Sequence, residues 1–384
     1  MRFWGVTGTN GKTTTTWIAA EFINAAKGRR CGYVTTVEVN TGTRQFYTGY
    51  TTPPLAQLKE IFAEMEANGC TDCVMEVSSH AIHQHRTGDT VFSGGIFTNL
   101  SEDHLDYHKT MEAYFDVKLD FARQIAAAHP TAPDMGRRDL PPYVVCLDGG
   151  YGREMFNAVG NLAVNVIGVS IDCNRRQSTA FDLSGLQLVG EYNKSNVLCA
   201  AALAEAAGVD HDAIQAVIPT LKPRWGRLEE VKSEEGRVKS RVFVDFAHTP
   251  DGLEKVLAAA RGFTPEGKRL WVVFGAGGDR DPMKRPLMGE ACAKLADRLV
   301  VTSDNPRSEE PMAIIKAILG GIDGNRRQST VVEPDRKKAI EYALREAGEG
   351  DVVIIAGKGH ETTQEIKGVK HPFDDREVVR NFAG

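Results

Sequence analysis

The chain has 384 residues, 42% of them hydrophobic and 25% charged, with a formal net charge of −5. That length exceeds one average domain and suits two, in the composition range of a globular protein. The negative balance argues against a general nucleic-acid binder, since no basic surplus exists to neutralise phosphates; no apolar run is long enough to span a bilayer, which argues against a membrane role.

The N-terminus (MRFWGVTG) reads as a strand, not a signal peptide. From there, short β-branched runs alternate with amphipathic stretches, the pattern of an α/β protein with crossover helices. Strands are expected at residues 3–7, 31–37, 72–77, 94–99, 143–147 and 164–169, and a helix at 191–207 closes the first half. The pattern restarts with strands at 242–246, 270–274, 298–302 and 352–356. The break falls near Lys222, Pro223 and Arg224, after a helix at 212–217, which divides the chain into residues 1–222 and 223–384. A nine-residue segment at 171–179 recurs nearly unchanged at 322–330; it is too short to signal a repeat fold, and both copies read as solvated loops. The seven cysteines lie mostly in apolar runs, which fits reduced, buried thiols in a cytoplasmic protein. Cys70 and Cys73 lack the second pair a zinc site needs and read as strand-edge packing.

The run from Gly5 to Thr14 (GVTGTNGKTT) follows a strand and opens a helix. In that setting the backbone N–H groups of Gly8, Thr9, Asn10, Gly11 and Thr14 converge with a helix N-terminus on anionic oxygens. Lys12 then reaches the β- and γ-phosphates, and the Thr13 hydroxyl ligates Mg²⁺. Val6 stands where the strict phosphate-loop spacing has glycine. Glu76 ends the next central strand, and strand C-termini in a parallel sheet face the ligand crevice. The strand at 94–99 runs into Ser101, Asp103, His104, Asp106 and His108. Oxygen ligands with one imidazole suit Mg²⁺ or Mn²⁺ bridging ATP to a carboxylate substrate. The bland alternative has His104 and Asp106 capping the helix near Met111.

Four motifs, TGTNGKT (7–13), EVSSH (76–80), TNLSEDH (98–104) and DFAHTP (245–250), resemble those of the Mur ligases. More narrowly, they are similar to the MurE branch, which adds the third amino acid of the peptidoglycan stem peptide. The likeness runs from about residue 2 to 376. It implies a central P-loop ATPase domain with a mainly parallel sheet, and a C-terminal Rossmann-like α/β domain that closes over it. It also implies ATP-dependent addition of meso-diaminopimelate to a muramyl-L-alanyl-D-glutamate type acceptor through an acyl phosphate.

By the same resemblance, Lys118 matches a carbamylated lysine that helps hold a second Mg²⁺ beside His104, where the residues alone suggest a solvated helix position. Lys12, Glu76, His104 and Lys118 become catalytic, with Thr13, Glu76, His104 and Lys118 as metal ligands. Asn196 matches an adenine contact, and Arg227 and Asp245 match nucleotide contacts. Thr51, Thr52, Ser78, Gln84 and Arg86 match residues that hold the acceptor's peptide end. Asp304, Asn305, Pro306 and Arg307 resemble the signature of diaminopimelate-adding members, with Arg280, Gly357 and Glu361 as partners. The chemistry is consistent: the second carboxylate of diaminopimelate calls for a bidentate Arg307, and Asp304 and Glu361 can receive its ammonium.

Typical members also carry an N-terminal domain that grips a uridine nucleotide. This chain begins at the first ATPase strand, which leaves open a truncation, an acceptor without that handle, or a separate protein supplying the domain. Residues 150–190 look shortened, and Tyr50, Trp225 and Phe246 replace the usual Asn, Pro and Tyr. Two other readings stay open: a ligase joining another amino acid to a non-nucleotide peptide or polymer, and a non-catalytic nucleotide-binding subunit.

Overall fold

The alternation of strand and helix resolves into two parallel-stranded sheets, one in each of two units, Met1–Leu221 and Lys222–Gly384. The computed structural model describes residues 1–129, 135–176, 180–233 and 238–382.

In the first unit the strands are β1 (Arg2–Thr7), β2 (Cys31–Val34), β3 (Val39–Asn40), β4 (Gln45–Phe46), β5 (Asp72–Glu76), β6 (Phe92–Phe97), β7 (Pro142–Cys146) and β8 (Asn165–Val169). They lie in the order β4-β3-β2-β5-β1-β6-β7-β8, parallel from β2 to β8, with β3 and β4 added antiparallel at one edge. β1 sits centrally between β5 and β6, where the chain changes its direction of winding. Ligands of open α/β sheets bind beyond the strand C-termini at such a switch point. Helices Lys12–Asn24 and Glu191–Ala206 pack on each other. Leu58, Ile61 and Phe62 of helix Leu55–Ala67, with Leu119 and Phe121 of helix Met111–Ala128, join Met75, Phe97 and Val145 in one core.

The second unit has β9 (Glu229–Val231), β10 (Arg241–Asp245), β11 (Leu270–Phe274), β12 (Arg298–Val301), β13 (Val331–Val332) and β14 (Val352–Ala356) in the order β13-β12-β11-β14-β10-β9. Only β9 runs antiparallel among these. A separate hairpin pairs β15 (Thr363–Ile366) with β16 (Val369–Pro372). Arg336 and Asp375, both fully buried and 2.7 Å apart, tie the last helix to the sheet, and Arg336 also donates to the Ala356 carbonyl. Leaving either charge alone in that interior costs about 3–5 kcal/mol.

The duplicated segments are not the loops expected from their polarity. The first begins with helix Ile171–Arg176, its residues 177–179 lying outside the described ones, and the second contains helix Gly324–Gln328, capped by Asp323. Helices of five or six residues are too short to show a helical period. Cys173 is exposed, whereas the other six cysteines, including Cys70 and Cys73, are buried; all are free thiols. Among the described residues no helix is long and apolar enough to cross a membrane.

Candidate active site

The loop after β1 takes its shape from two glycines. Gly8 (φ 147°) and Gly11 (φ 85°) occupy backbone conformations that side chains rarely adopt. A Cβ at Gly8 would run into Thr98 Oγ1, and one at Gly11 would crowd Asn196 Oδ1. The end of β6 clamps the loop: the Thr9 amide donates to the Asn99 carbonyl (2.9 Å), the Asn10 amide to Asn99 Oδ1 (3.0 Å), and Thr98 Oγ1 to the Asn10 carbonyl (2.7 Å). The amides of Thr9 and Asn10 are therefore committed to Asn99. Anion binding narrows to the first turn of helix Lys12–Asn24, where amides lack intrahelical carbonyl partners. Thr13 and Thr14 lie in that turn. Asn196 is buried on helix Glu191–Ala206, its Nδ2 donating to Asn193 Oδ1 at 3.2 Å.

Two lysines converge on this loop. Lys12 Nζ curls back to the carbonyls of Gly8 (3.0 Å) and Thr9 (2.8 Å). Lys118, from helix Met111–Ala128, is 1% exposed and donates to the same Gly8 carbonyl at 2.9 Å. Burial, reinforced by the Lys12 charge and only partly opposed by Asp103, pushes the Lys118 ammonium well below the usual lysine range. A solvated position for Lys118 is thus overturned: the helix turns that face into the loop.

Glu76, fully buried at the end of β5, accepts at Oε1 from Thr13 Oγ1 and from the Thr36 amide, both 2.7 Å, and at Oε2 from Thr36 Oγ1 at 3.0 Å. With its own proton committed to Glu76, Thr36 Oγ1 accepts from Thr51 Oγ1 (3.0 Å), while Thr52 Oγ1 donates to the Glu76 carbonyl (2.9 Å) and accepts from the Ser78 amide (3.0 Å). Arg86 reaches the Thr52 carbonyl (3.4 Å) and Gln84 Oε1 (2.8 Å). Thr51, Thr52, Ser78, Gln84 and Arg86 therefore form one hydrogen-bonded border next to Glu76. Thr36 joins them unforeseen, because a threonine just past a strand carries no distinguishing sequence signal.

His104 has a left-handed backbone (φ 56°), its Nε2 3.4 Å from Asp103 and its ring 4.9 Å from that of His80. Burial lowers its pKa to about 4, against the pull of Asp103 and with help from His80, Lys12 and Lys118. The capping alternative fails, since Thr110 caps helix Met111–Ala128, taking a hydrogen bond from the Ala113 amide. Among the described residues no group of three or more His, Cys, Asp or Glu side chains is arranged to hold a metal. Mg²⁺ does not require one, because it is commonly held by one or two carboxylates together with water and substrate phosphates. The Thr13 hydroxyl on the buried Glu76 carboxylate, at a helix N-terminus, fits that donor set.

In the second unit Asp245 ends β10 and accepts from the amides of Leu228 (2.6 Å) and Ala247 (2.7 Å). Burial raises its pKa against the Arg227 charge. The Arg227 guanidinium lies 4.7 Å from the Phe246 ring centroid, so this phenylalanine contributes a cation–π face. Arg307 (φ 51°) donates to the Gly278 carbonyl at 2.6 Å, and its Nε lies 3.5 Å from Glu365 Oε2. Arg280, exposed, flanks Gly277 together with Arg307. Asn305 donates to Glu361 Oε2 (2.8 Å), its Oδ1 accepting from Lys358 (3.1 Å) and from the Glu365 amide (2.9 Å). Asp304 abuts Gly357 (φ 116°), where a Cβ would meet its carboxylate. Pro306 backs Gly278 in the same way. Lys358 and Glu365 carry no sequence signal, the first because a lysine between glycines reads as solvated, the second because its strand is only four residues long.

Comparison with known proteins follows the same division. Residues 6–204 match the Mur ligase middle domain, and residues 226–359 match the Mur ligase glutamate ligase domain. Similar curated proteins include a UDP-N-acetylmuramoyl-L-alanyl-D-glutamate–2,6-diaminopimelate ligase of Aquifex aeolicus, 40% identical over 99% of this chain and 77% of that protein. Its namesake from Bacteroides thetaiotaomicron is 38% identical over 98% of this chain and 77% of its own length. A solved structure of a ligase of that name shares 33% identity with a TM-score of 0.60, covering 99% of this chain and 77% of its own. A folylpolyglutamate synthase from Mycobacterium tuberculosis, 20% identical with a TM-score of 0.63 over 93% of this chain and 88% of its own, shares the fold.

Proposed function

This chain belongs to the Mur ligase family, and we propose that it joins meso-diaminopimelate to a muramyl-L-alanyl-D-glutamate type acceptor through an acyl phosphate, as a step of peptidoglycan synthesis. It is an ATP-dependent ligase, and the family uses Mg²⁺ with ATP.

The observation that carries the chemistry is Lys118, buried against the Gly8 carbonyl with its ammonium destabilised. A neutral amine is nucleophilic; it attacks CO₂, forms an N–C bond and releases a proton, and the resulting carbamate is an anion. Carbamylated Lys118, Glu76, Thr13 and His104 would hold Mg²⁺ in two sites, and the metal supplies charge neutralisation for phosphoryl oxygens. Lys12 adds a cation beside the loop, Asn196 faces it for the adenine, and Arg227 and Asp245 serve the nucleotide from the second unit. The acceptor's peptide end is taken by Thr51, Thr52, Ser78, Gln84 and Arg86. Its carboxylate oxygen attacks the γ-phosphorus and ADP departs. The amine of diaminopimelate then attacks the acyl carbon and phosphate leaves.

Arg307, with Arg280, supplies the cations for the distal carboxylate of diaminopimelate, and Asp304 and Glu361 supply the anions for its ammonium. We assign the reaction to the cytoplasm, where ATP is available and free thiols persist.

The test is phosphate release by the purified chain with diaminopimelate, lysine and alanine, each offered with uridine-linked and with nucleotide-free muramyl dipeptide. Stimulation by diaminopimelate, and a hydroxamate formed when hydroxylamine traps the acyl phosphate, are the expected results. No stimulation by diaminopimelate with either acceptor would remove the substrate assignment. Absence of any trapped hydroxamate would remove the mechanism.

A further inference from the structure

Lys358 is fully buried on the loop after β14, between Gly357 and Gly359. A lysine ammonium is kept from water only where charged and polar partners offset its desolvation. Here Nζ donates to Glu361 Oε2 at 2.7 Å and to Asn305 Oδ1 at 3.1 Å, and Asn305 Nδ2 donates to the same Oε2 at 2.8 Å. The three side chains close a ring.

That ring has two consequences. An ammonium only donates, so it fixes the Asn305 amide with oxygen toward the lysine and nitrogen toward Glu361. The Glu365 amide, donating to that oxygen at 2.9 Å, requires the same orientation. Glu361 Oε2 is thereby filled by two donors, which leaves Oε1 to receive an incoming ammonium. Lys358 also balances the Glu361 charge within the segment pair that carries Arg307. An amino acid with a single carboxylate would bring an ammonium to Glu361 but leave Arg307 without the carboxylate it is placed to take.

We propose that Lys358 is a positioning residue that locks Asn305 and Glu361 and thereby sets the preference for an amino acid whose far end carries both ammonium and carboxylate. The proposal rests on diaminopimelate being the incoming amino acid. It is tested with steady-state kinetics of Lys358→Met, Lys358→Gln and the double variant Lys358→Met with Glu361→Gln, alongside their thermal midpoints. Lys358→Met should raise KM for diaminopimelate by about tenfold or more, the loss expected for a charge-assisted hydrogen bond. KM for ATP should stay within about twofold of the parent, and the preference for diaminopimelate over lysine should fall. The double variant, relieved of the half-buried carboxylate left without its lysine, should regain thermal stability, with KM still raised because Glu361 itself is lost.

An unchanged KM for diaminopimelate in Lys358→Met overturns the proposal. So does a rise of KM for ATP and for diaminopimelate by the same factor in Lys358→Met, which would make the role purely structural. If Lys358→Met fails to fold, Lys358→Gln decides by the same KM criterion, since it retains a donor without the charge. Failure of the parent enzyme to use diaminopimelate would instead remove the substrate reading.

Discussion

The phosphate loop of the first unit and the charged pocket of the second are built from different materials. Around Gly8 and Gly11 the fixed groups are mostly main chain: carbonyls of Gly8 and Thr9 take lysine donors, and amides of Thr9 and Asn10 are tied to Asn99. Around Arg307 the fixed groups are side chains, Asn305, Lys358 and Glu361, gathered from positions 53 and 56 residues apart. A main-chain cradle recognises what every nucleotide phosphate has in common. A side-chain lattice recognises one arrangement of charges, so single substitutions there should alter choice of substrate before they alter rate.

Lys118 offers the harshest test of that division, being a side chain on which the main-chain site depends. Lys118→Ala should lower phosphate release about 10³-fold or more, the scale of losing a group that stabilises transferring charge. KM for the amino acid should hardly move. Lys118→Glu, restoring an anion of similar reach, should return part of the rate. Full activity in the alanine variant would dispose of the carbamate.

A smaller effect is expected from Arg307→Lys in the other region. The guanidinium fork becomes a point charge, and KM for diaminopimelate should rise about 10- to 100-fold with KM for ATP unchanged. An equal rise in both KM values would show that the two regions do not act separately.

The sequence exposed the first region better than the second, and even there only what is local. The loop from Gly5 to Thr14 is one continuous run, and Glu76 is the last residue of a recognisable strand. Lys118 is different: neighbouring Asp116 and Asp120 make its helix turn look solvated, and its burial depends on a carbonyl 110 residues away. Resemblance to a family, not residue pattern, singled it out. In the second unit the ring through Lys358 and the clasp of Glu365 on Arg307 depend on β15, a four-residue strand too short to announce itself. The short strands β3, β4, β9 and β13, of two or three residues each, escaped for the same reason.

The smallest predicted effect concerns a side chain of the first unit with no assigned role, His108. It is buried, its Nε2 is 2.9 Å from Ser79 Oγ, and its ring stacks on Tyr114 at 4.9 Å. Burial, then the charges of His80, Lys118 and His83, lower its pKa to about 4, with Asp106 opposing. In the unfolded chain the imidazole titrates near about 6.5. Between those values the unfolded state takes up a proton that the folded state refuses, so the stability is fully present above about pH 6.5 and is lost as the pH falls toward 4. His104, lowered to a similar value, acts with the same sign. His108→Gln should therefore make the fall in thermal midpoint between pH 6.5 and 4 shallower without abolishing it, since His104 continues to contribute. A profile parallel to that of the parent chain would mean that His108 is not held neutral. The aromatic wall beside the loop would then tolerate charge, which a site relying on undiluted lysine and carboxylate fields could not easily permit.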